Sequence, residues 1–358
     1  MTQVVVDSTQ VIIGIDTHKD NHVAFAINSL GIRLADCTVP ATLAGYQQLL
    51  GWASALGQMA VFGVEGTGSY GSGLTRFLRS QGLKVIEVSR PSRRDHRRSQ
   101  GKNDVLDAEQ AARQVLSGEA TAIPKSTDGV VEMIRVIKVA RDSAVKAQTQ
   151  VLVSLKAIIV TADADLRALL ESLSTPQLVA TCAKLEADPL DSPTKVMRYT
   201  LAAMANRWLQ LHKEIEAHTQ HLTTLTREAA PELVQAYGIG PDSAAEILIT
   251  FGDNGHRVHS EAAFAKMCGV CPIPASSGKT QRYRLNRGGN RQANAALFRV
   301  VIVRMRWHEA TKAYVARRTA QGLSKREIIR CLKRYLAREI YQIIRKTFPT
   351  AKAEVINP

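Results

Sequence analysis

The chain has 358 residues, enough for two or three domains, and a hydrophobic fraction of 45%, which excludes wholesale disorder. Its net charge of +15 predicts a polyanionic partner. The excess lies near the C-terminus, where residues 273–350 hold 19 lysines and arginines against 3 glutamates. The chain lacks a signal-peptide pattern, an uncharged apolar run of about 18 residues and a disulfide-type cysteine framework. We therefore expect a cytoplasmic protein with no membrane segment.

Strands and helices alternate at the start of the chain, as they do in an α/β domain. Three apolar runs predict strands, and the turn signal Ser29-Leu-Gly31 favours a meander. A helix, a strand, a helix and a last strand are expected to follow. The predicted elements are Val11–Ile15, Val23–Ile27, Ile32–Val39, Thr42–Leu56, Ala60–Val64, Ser72–Ser80 and Lys84–Val88. Because this order is typical of a ribonuclease-H-like domain, we predict such a domain over residues 1–124.

Four carboxylates occupy positions that this order of strands and helices is expected to bring to one edge of the sheet. Asp16 ends the first strand, Glu65 ends the fourth, and Asp104 and Asp107 share one face of a predicted helix. Carboxylate oxygens suit Mg2+, and paired metal ions can clamp both oxygens of a phosphoryl displacement. We predict a magnesium site for phosphodiester chemistry. Glu109 remains an alternative ligand to either helical acid, and Asp104 also fits a helix-capping position.

A basic loop leads into the helix that carries the last two acids, and we expect it to bind nucleic acid. Its cations are Arg93, Arg94, Arg97, Arg98 and Lys102.

The middle of the chain, residues 125–230, is predicted to be a helical coiled-coil region. Gly129–Leu170 is almost unbroken helix former, and a second helix is expected over Lys195–Glu228. Apolar residues of the second helix recur at spacings of four and three, which predicts a helical hairpin or coiled coil and hence self-association. His218 falls in this seam as a packing residue rather than a ligand. The seam comprises Met197, Leu201, Met204, Trp208, Leu211, Ile215, His218, Leu222 and Leu225.

The C-terminal region, residues 231–358, begins with a Gly-Ile-Gly string that is typical of a helix-hairpin-helix turn. Gly238 and Gly240 would let backbone amides approach a phosphate ahead of the next helix. Further helices are predicted over Gln292–Arg306 and Ser324–Lys346. Arginines on one side of these helices can rest on a sugar-phosphate backbone.

A proline-broken loop between Cys271 and Thr280 holds two adjacent serines, Ser276 and Ser277. A loop serine is usually a turn former, but neighbouring cations can stabilise a phosphoryl oxyanion while a serine attacks. The pair Cys268-Gly-Val-Cys271 has no second ligand pair and indicates core packing rather than zinc. The candidate phosphate-binding cations are Lys279, Arg282, Arg284, Arg287 and Arg291.

Several of these strings occur, in the same order, in one family of transposases. They are Gly14-Ile-Asp-Thr-His-Lys19, Glu65-Gly-Thr-Gly-Ser-Tyr70, Lys102-Asn-Asp-Val-Leu-Asp-Ala108, Gly238-Ile-Gly240, Gly269-Val-Cys-Pro-Ile-Pro-Ala-Ser-Ser-Gly-Lys279 and Arg284-Leu-Asn-Arg-Gly-Gly-Asn290. On these motifs the chain resembles the insertion-sequence one-hundred-and-ten family, whose relatives include Piv-type DNA invertases. The match spans nearly the whole chain.

The resemblance implies a RuvC-like domain, a coiled-coil arm and a mainly helical C-terminal transposase domain whose serine forms a covalent link to DNA. By position that serine is Ser277, with Ser276 as the near alternative. The metal ligands carried over are Asp16, Glu65, Asp104 and Asp107. The resemblance further implies cutting and rejoining of donor and target DNA, a noncoding guide (bridge) RNA, a tetramer and a place beside the prokaryotic nucleoid.

Other functions stay open on the sequence alone. A site-specific DNA invertase would use the same chemistry, whereas a RuvC-like metal-dependent nuclease would use water as the nucleophile and leave no protein–DNA adduct. A noncatalytic nucleic-acid-binding protein would bind in a salt-sensitive manner without breaking strands. An actin-like ATPase also begins with Gly-Ile-Asp, but Thr17-His18 replaces the Gly-Thr that its phosphate loop needs.

Overall fold

The computed structural model describes residues 10–89, 103–186, 188–278 and 283–348. These residues form two compact units, an α/β unit and a helical unit. The α/β unit combines the described residues up to Gly129 with Gly252–His259 and Phe348. The helical unit holds the described parts of Val130–Phe251 and Ser260–Thr347. The functional division into residues 1–124, 125–230 and 231–358 stays a prediction.

A five-stranded mixed sheet is the centre of the α/β unit. Its strands, in chain order, are β1 Gln10–Thr17, β2 Asn21–Asn28, β3 Arg33–Pro40, β4 Gln58–Glu65 and β5 Val85–Val88. They are arranged in the order β3-β2-β1-β4-β5. The first three strands pair in an antiparallel manner, while β4 runs parallel to both β1 and β5. All five predicted strands are therefore present, and this mixed sheet is consistent with a ribonuclease-H-like unit.

Helices cover both faces of this sheet. Side chains along a strand alternate between the two sides of the sheet, so apolar side chains on each side need a layer that buries them. The helices are α1 Leu43–Leu56, α2 Ser72–Ser80 and α3 Asp104–Leu116. Leu49 of α1 and Leu74 of α2 share one buried cluster with Ile13 and Ile15 of β1. The opposite face packs against α3 in a second cluster that contains Ile12, Val23, Phe25, Ile27, Ala108 and Ala112.

Two glycines let α3 lie directly on the sheet. A Cβ atom at Gly14 of β1 would stand 2.0 Å from the carbonyl oxygen of Ala108 and 2.3 Å from the amide nitrogen of Ala112. A Cβ atom at Gly63 of β4 would lie 2.6 Å from a methyl carbon of Val115. The close contact at Gly14 holds the first turns of α3 over the end of β1.

Replacing Gly14 with alanine should therefore push α3 off the sheet. We expect Gly14→Ala to lower the free energy of unfolding by about 3 kcal/mol, at the upper end of the cost of overpacking a well-packed contact. Gly51→Ala is the matched control, because a Cβ atom at Gly51 in α1 meets no atom within 4 Å. Chemical denaturation of both variants tests this; equal midpoints would contradict the proposed contact.

The helical unit begins with a long antiparallel hairpin made of α4 Val130–Val160 and α7 Pro193–Ala229. Arg141 bonds Thr219, and Gln148 bonds the Trp208 carbonyl, so residue numbers run in opposite directions along the pair. Two short helices join them, α5 Ala164–Leu170 and α6 Thr175–Cys182.

The predicted stretch of helix former over Gly129–Leu170 is helical along most of its length, but it is divided into α4 and α5. Asp163 interrupts it, because its side chain accepts a hydrogen bond from the Leu166 amide and caps a new helix. Along α7 the heptad residues Leu201 and Leu222 are buried.

By length and composition α4 could cross a membrane, with a mean hydropathy of 1.2 over an 18-residue window. A core helix of a soluble protein passes the same test, and α4 packs along α7, so the helix is weak evidence for a membrane protein.

The remaining helices pack at the other end of this unit. They are α8 Pro231–Gln235, α9 Pro241–Phe251, α10 Glu261–Met267, α11 Arg291–Trp307, α12 Glu309–Ala320 and α13 Lys325–Thr347. A two-stranded ribbon, β6 Ile273–Pro274 with β7 Tyr283–Arg284, stands between α10 and α11. A short 3-10 helix, Gly255–Arg257, belongs to the α/β unit.

Candidate active site

The parallel pairing of β1 with β4 brings the first two predicted acids to the same edge of the sheet. Ile15 pairs with Val64, so Asp16 and Glu65 follow at the next position of each strand. Both residues are buried, with 8% and 7% of their surface exposed. The Thr17 hydroxyl donates a 2.8 Å hydrogen bond to the Glu65 carbonyl oxygen and ties the two strand ends together.

The other two predicted acids enter from the first turn of α3. Asn103 caps this helix, because its side-chain oxygen accepts a hydrogen bond from the Val105 amide. The cap is therefore Asn103 and not Asp104, whose carboxylate stays available to the site. A carboxylate oxygen of Asp104 lies within 4.8 Å of one of Asp16, and the negative charges of Asp107 and Asp104 both raise the pKa of Asp16.

His18 joins this cluster, although no sequence argument singled it out. Its Nε2 atom lies 3.1 Å from Oδ2 of Asp16 and 3.4 Å from Oδ2 of Asp104. One ligand atom from each of the three residues falls within 4.8 Å of the others, which is close enough to share a metal ion. The only sequence signal was its place two residues after Asp16 at the end of a strand, where alternate side chains face the same way.

The electrostatics of Asp16 fit a site for a cation. Burial raises the pKa of Asp16, and the charges of Asp107 and Asp104 raise it further, whereas His18 lowers it. A carboxylate whose ionised form is disfavoured by burial and by neighbouring acids is stabilised when a divalent cation binds beside it. The donors suit such an ion, because carboxylate oxygens and imidazole nitrogen are both common metal ligands.

Glu109 is not free to replace one of the helical acids. Its carboxylate bonds Arg113 at 2.7 Å on the same helix and Arg33 at 2.8 Å on β3. Burial disfavours the ionised form of Glu109, but the hydrogen bonds from the two arginines outweigh burial, so the pKa of Glu109 lies below its usual value. Because Arg33 and Arg113 both bind its carboxylate, Glu109 has a structural role.

The lowered pKa of Glu109 predicts a pH-dependent contribution to stability. The contribution is present above the usual glutamate pKa near 4.5 and is lost as the pH falls through the lower folded-state value. We expect Glu109→Gln to cost about 1 kcal/mol at pH 7 and almost nothing near pH 2, because both arginines are largely exposed. Urea denaturation at the two pH values measures this difference, and a pH-independent cost would contradict it.

The candidate serines follow β6 of the β6–β7 ribbon in the helical unit. Ile273 pairs with Arg284, and Pro274 pairs with Tyr283. Ser276 and Ser277 are both exposed, as a nucleophile that meets a large substrate must be.

The base of this loop is held by amide side chains. Asn294 donates to the carbonyl oxygens of Cys268 and Gly269, both at 3.0 Å, and accepts a 2.7 Å hydrogen bond from the buried Lys333. Burial raises the pKa of the Cys268 thiol to about 12, which agrees with a core cysteine rather than a metal ligand. Within the described residues, the candidate metal-binding group is the one formed by Asp16, His18 and Asp104.

The ten predicted nucleic-acid-binding lysines and arginines divide into two groups. Seven of them lie outside the described residues: Arg93, Arg94, Arg97, Arg98, Lys102, Lys279 and Arg282. Arg284, Arg287 and Arg291 are exposed after the serine loop and at the start of α11.

The Gly-Ile-Gly string precedes α9, as predicted. Gly238 has a positive φ of 77°, and Gly240 directly precedes the first helical residue. An acid already stands in that first turn, because Asp242 pairs with Arg141 at 2.9 Å and with Arg299 at 3.0 Å. A phosphate at this helix start would have to share those two arginines with Asp242.

Known proteins match this chain over both units. A family model described as a transposase, DEDD_Tnp_IS110, matches residues 13–162. A second, described as transposase IS116/IS110/IS902 family, matches residues 230–316. An uncharacterized 43.6 kDa protein of insertion element IS110 from Streptomyces coelicolor is 27% identical over 167 residues. That alignment covers 44% of this chain and 41% of the relative, so less than half of the relative's length is matched.

Together the two family models cover most of the chain, including the acid cluster and the serine loop. Both models describe transposases. The chain belongs to the IS110 family of transposases, as its motifs predicted.

Proposed function

We propose that this protein is the DNA transposase of an insertion sequence, which cuts and rejoins donor and target DNA through a serine–DNA intermediate. The observation that carries the proposal is the placement of Asp16 and Asp104 within 4.8 Å of each other at the strand end next to Glu65. Membership of the IS110 family supports the choice of DNA as substrate. The proposal includes a RuvC-like fold for the α/β unit and a helix-hairpin-helix role for the turn before α9.

The acid cluster would hold a divalent cation, for which Mg2+ is the first choice on the strength of its oxygen ligands. Such an ion supplies Lewis-acid stabilisation of charge on the scissile phosphate. Asp16 and Glu65 are fixed by the strands, and Asp104 and Asp107 by the capped helix, so the ligands are positioned before any cation binds. Asp16 and Glu65 are buried at the end of the sheet, whereas Asp104 and Asp107 are partly exposed, so the site is open to solvent on the side of α3.

Ser277 would supply the nucleophile. Its hydroxyl oxygen attacks phosphorus, a serine–phosphorus ester forms, and one bridging phosphorus–oxygen bond of the DNA breaks. The serine proton is lost to a base, and the released DNA oxygen gains a proton as a hydroxyl group. The new ester conserves the energy of the broken linkage, so a second DNA hydroxyl can later displace the serine and rejoin the strand.

The exposed arginines after the loop would neutralise phosphates next to the reacting one. Arg284, Arg287 and Arg291 are available for this role, and Lys279 and Arg282 flank the same loop in sequence. A noncoding guide RNA, assembly as a dimer or tetramer through the α4–α7 coiled-coil region, and association with the nucleoid complete the proposal. These last three elements rest on the family resemblance.

A strand-joining assay tests the proposal. Purified full-length protein is mixed with donor DNA, target DNA, Mg2+ and RNA transcribed from the region that flanks the reading frame. Joined donor–target strands support the proposed function. Hydrolysed free ends without joining would indicate a metal-dependent nuclease, and inverted segments would indicate an invertase. Salt-sensitive binding without strand breakage would indicate a binding protein.

A further inference from the structure

His18 occupies a central place among the acids. Its Nε2 atom lies between two carboxylates, one on β1 and one on α3, at 3.1 and 3.4 Å. The imidazole ring is partly accessible, with 38% of its side chain exposed, whereas its Nε2 atom is buried and makes no hydrogen bond within the described residues.

The backbone fixes this placement. The His18 amide donates a 3.0 Å hydrogen bond to the Asn21 carbonyl oxygen, which closes the turn between β1 and β2. The ring therefore starts from a rigid position two residues beyond Asp16, and it does not depend on a mobile loop to approach the acids.

We propose that His18 Nε2 is itself a ligand of the cation bound by the acid cluster, which gives the site a mixed carboxylate–imidazole donor set. This inference rests on the proposed metal site and refines the identity of its cation. Imidazole nitrogen favours first-row transition ions, whereas Mg2+ prefers oxygen donors and retained waters. The site is thus expected to bind a transition ion such as Co2+ more tightly than an all-carboxylate site would.

The spacing of the donor atoms supports a shared ion. Ligands about 2.1 Å from a metal ion and at right angles to each other are about 3 Å apart. The separations of Nε2 from the two carboxylate oxygens, 3.1 and 3.4 Å, match this value closely. All three donor atoms lie within 4.8 Å of one another, so one cation can contact them together.

A competing role for His18 makes the opposite prediction. If the ring served only as a positive counter-ion to the acids, it would repel a bound metal ion, and its removal would strengthen the binding of every divalent cation. A ligand role predicts instead that removal weakens the binding of transition ions in particular.

Electron spin echo spectroscopy of full-length protein loaded with Mn2+ distinguishes these roles without any assay of activity. In the wild type we expect the echo to be modulated by a 14N nucleus bound directly to Mn2+. Labelling the histidines with 15N should change this modulation, and His18→Asp should abolish it. Calorimetric titration should show that His18→Asp lowers Co2+ affinity at least about tenfold and leaves Mg2+ affinity equal or higher. Circular dichroism checks that the variant is folded.

Asp16→Asn separates failure of this inference from failure of the metal site. Suppose that the wild type binds Mn2+ without a nitrogen signal and that Asp16→Asn abolishes the binding. This result would overturn the role of His18 but would support the acid site. Undetectable Mn2+ binding, or binding that Asp16→Asn does not change, would overturn the metal site and the inference with it. Stronger binding of both Co2+ and Mg2+ to His18→Asp than to the wild type, without a wild-type nitrogen signal, would identify His18 as a counter-ion.

Discussion

The Ser277→Ala variant is expected to lose DNA joining by at least about four orders of magnitude, because removal of an enzyme's nucleophile leaves only binding and electrostatic effects. Ser277 is exposed in a loop outside the hydrophobic clusters, so the substitution should leave the fold intact. Covalent attachment of labelled DNA to the denatured protein should disappear as well.

Ser276→Ala is the matched control, since it makes the same chemical change one residue earlier in the same exposed loop. We expect this variant to keep both joining and the protein–DNA adduct. An adduct that persists in Ser277→Ala and vanishes in Ser276→Ala would move the nucleophile to Ser276. An adduct that persists in both variants would remove serine chemistry from the loop altogether.

The Asp16→Asn and Asp104→Asn variants should each lose strand cleavage by roughly a thousandfold, which corresponds to about 4 kcal/mol of lost charge stabilisation at the phosphate. Asparagine keeps the shape of the side chain and removes the charge that binds a cation. The folded state raises the pKa of Asp16, so its ionised form opposes folding at neutral pH. Asp16→Asn should therefore unfold no earlier than the wild type.

Glu109→Gln is the control for these two variants, because Glu109 lies on the same helix and is neutralised by Arg33 and Arg113. We expect it to cleave DNA at the wild-type rate, with the fold verified by circular dichroism. Loss of cleavage in Glu109→Gln, or normal cleavage in both aspartate variants, would contradict the assignment of the site.

Much of the fold could be predicted because the relevant signals are local. The strands that end at Asp16 and Glu65 are apolar runs bounded by turn residues, and Asn103 precedes a helical pattern. The observed β1, β4 and α3 agree with these predictions. The division at Asp163 was not predicted, because it depends on one side-chain hydrogen bond between two strongly helical sequences.

The site was predicted less completely because its remaining features depend on tertiary contacts. The place of His18 between two acids requires α3 to cross β1 at Gly14, which no local pattern reveals. The arginine partner of Glu109 on β3 is 76 residues away in the chain, so its structural role was equally hidden. Lys333 beneath the serine loop is another long-range contact of this kind.

The measurement that tests the central claim most directly is the metal dependence of the protein–DNA adduct. Full-length protein is incubated with end-labelled donor DNA, with a divalent cation or with a chelator, and the denatured mixture is separated by size. The claim that acids and serine act in one reaction predicts an adduct on Ser277 with the cation, and none with the chelator or in Asp16→Asn. An equal adduct under chelation, or cleaved DNA that carries no protein, would contradict it.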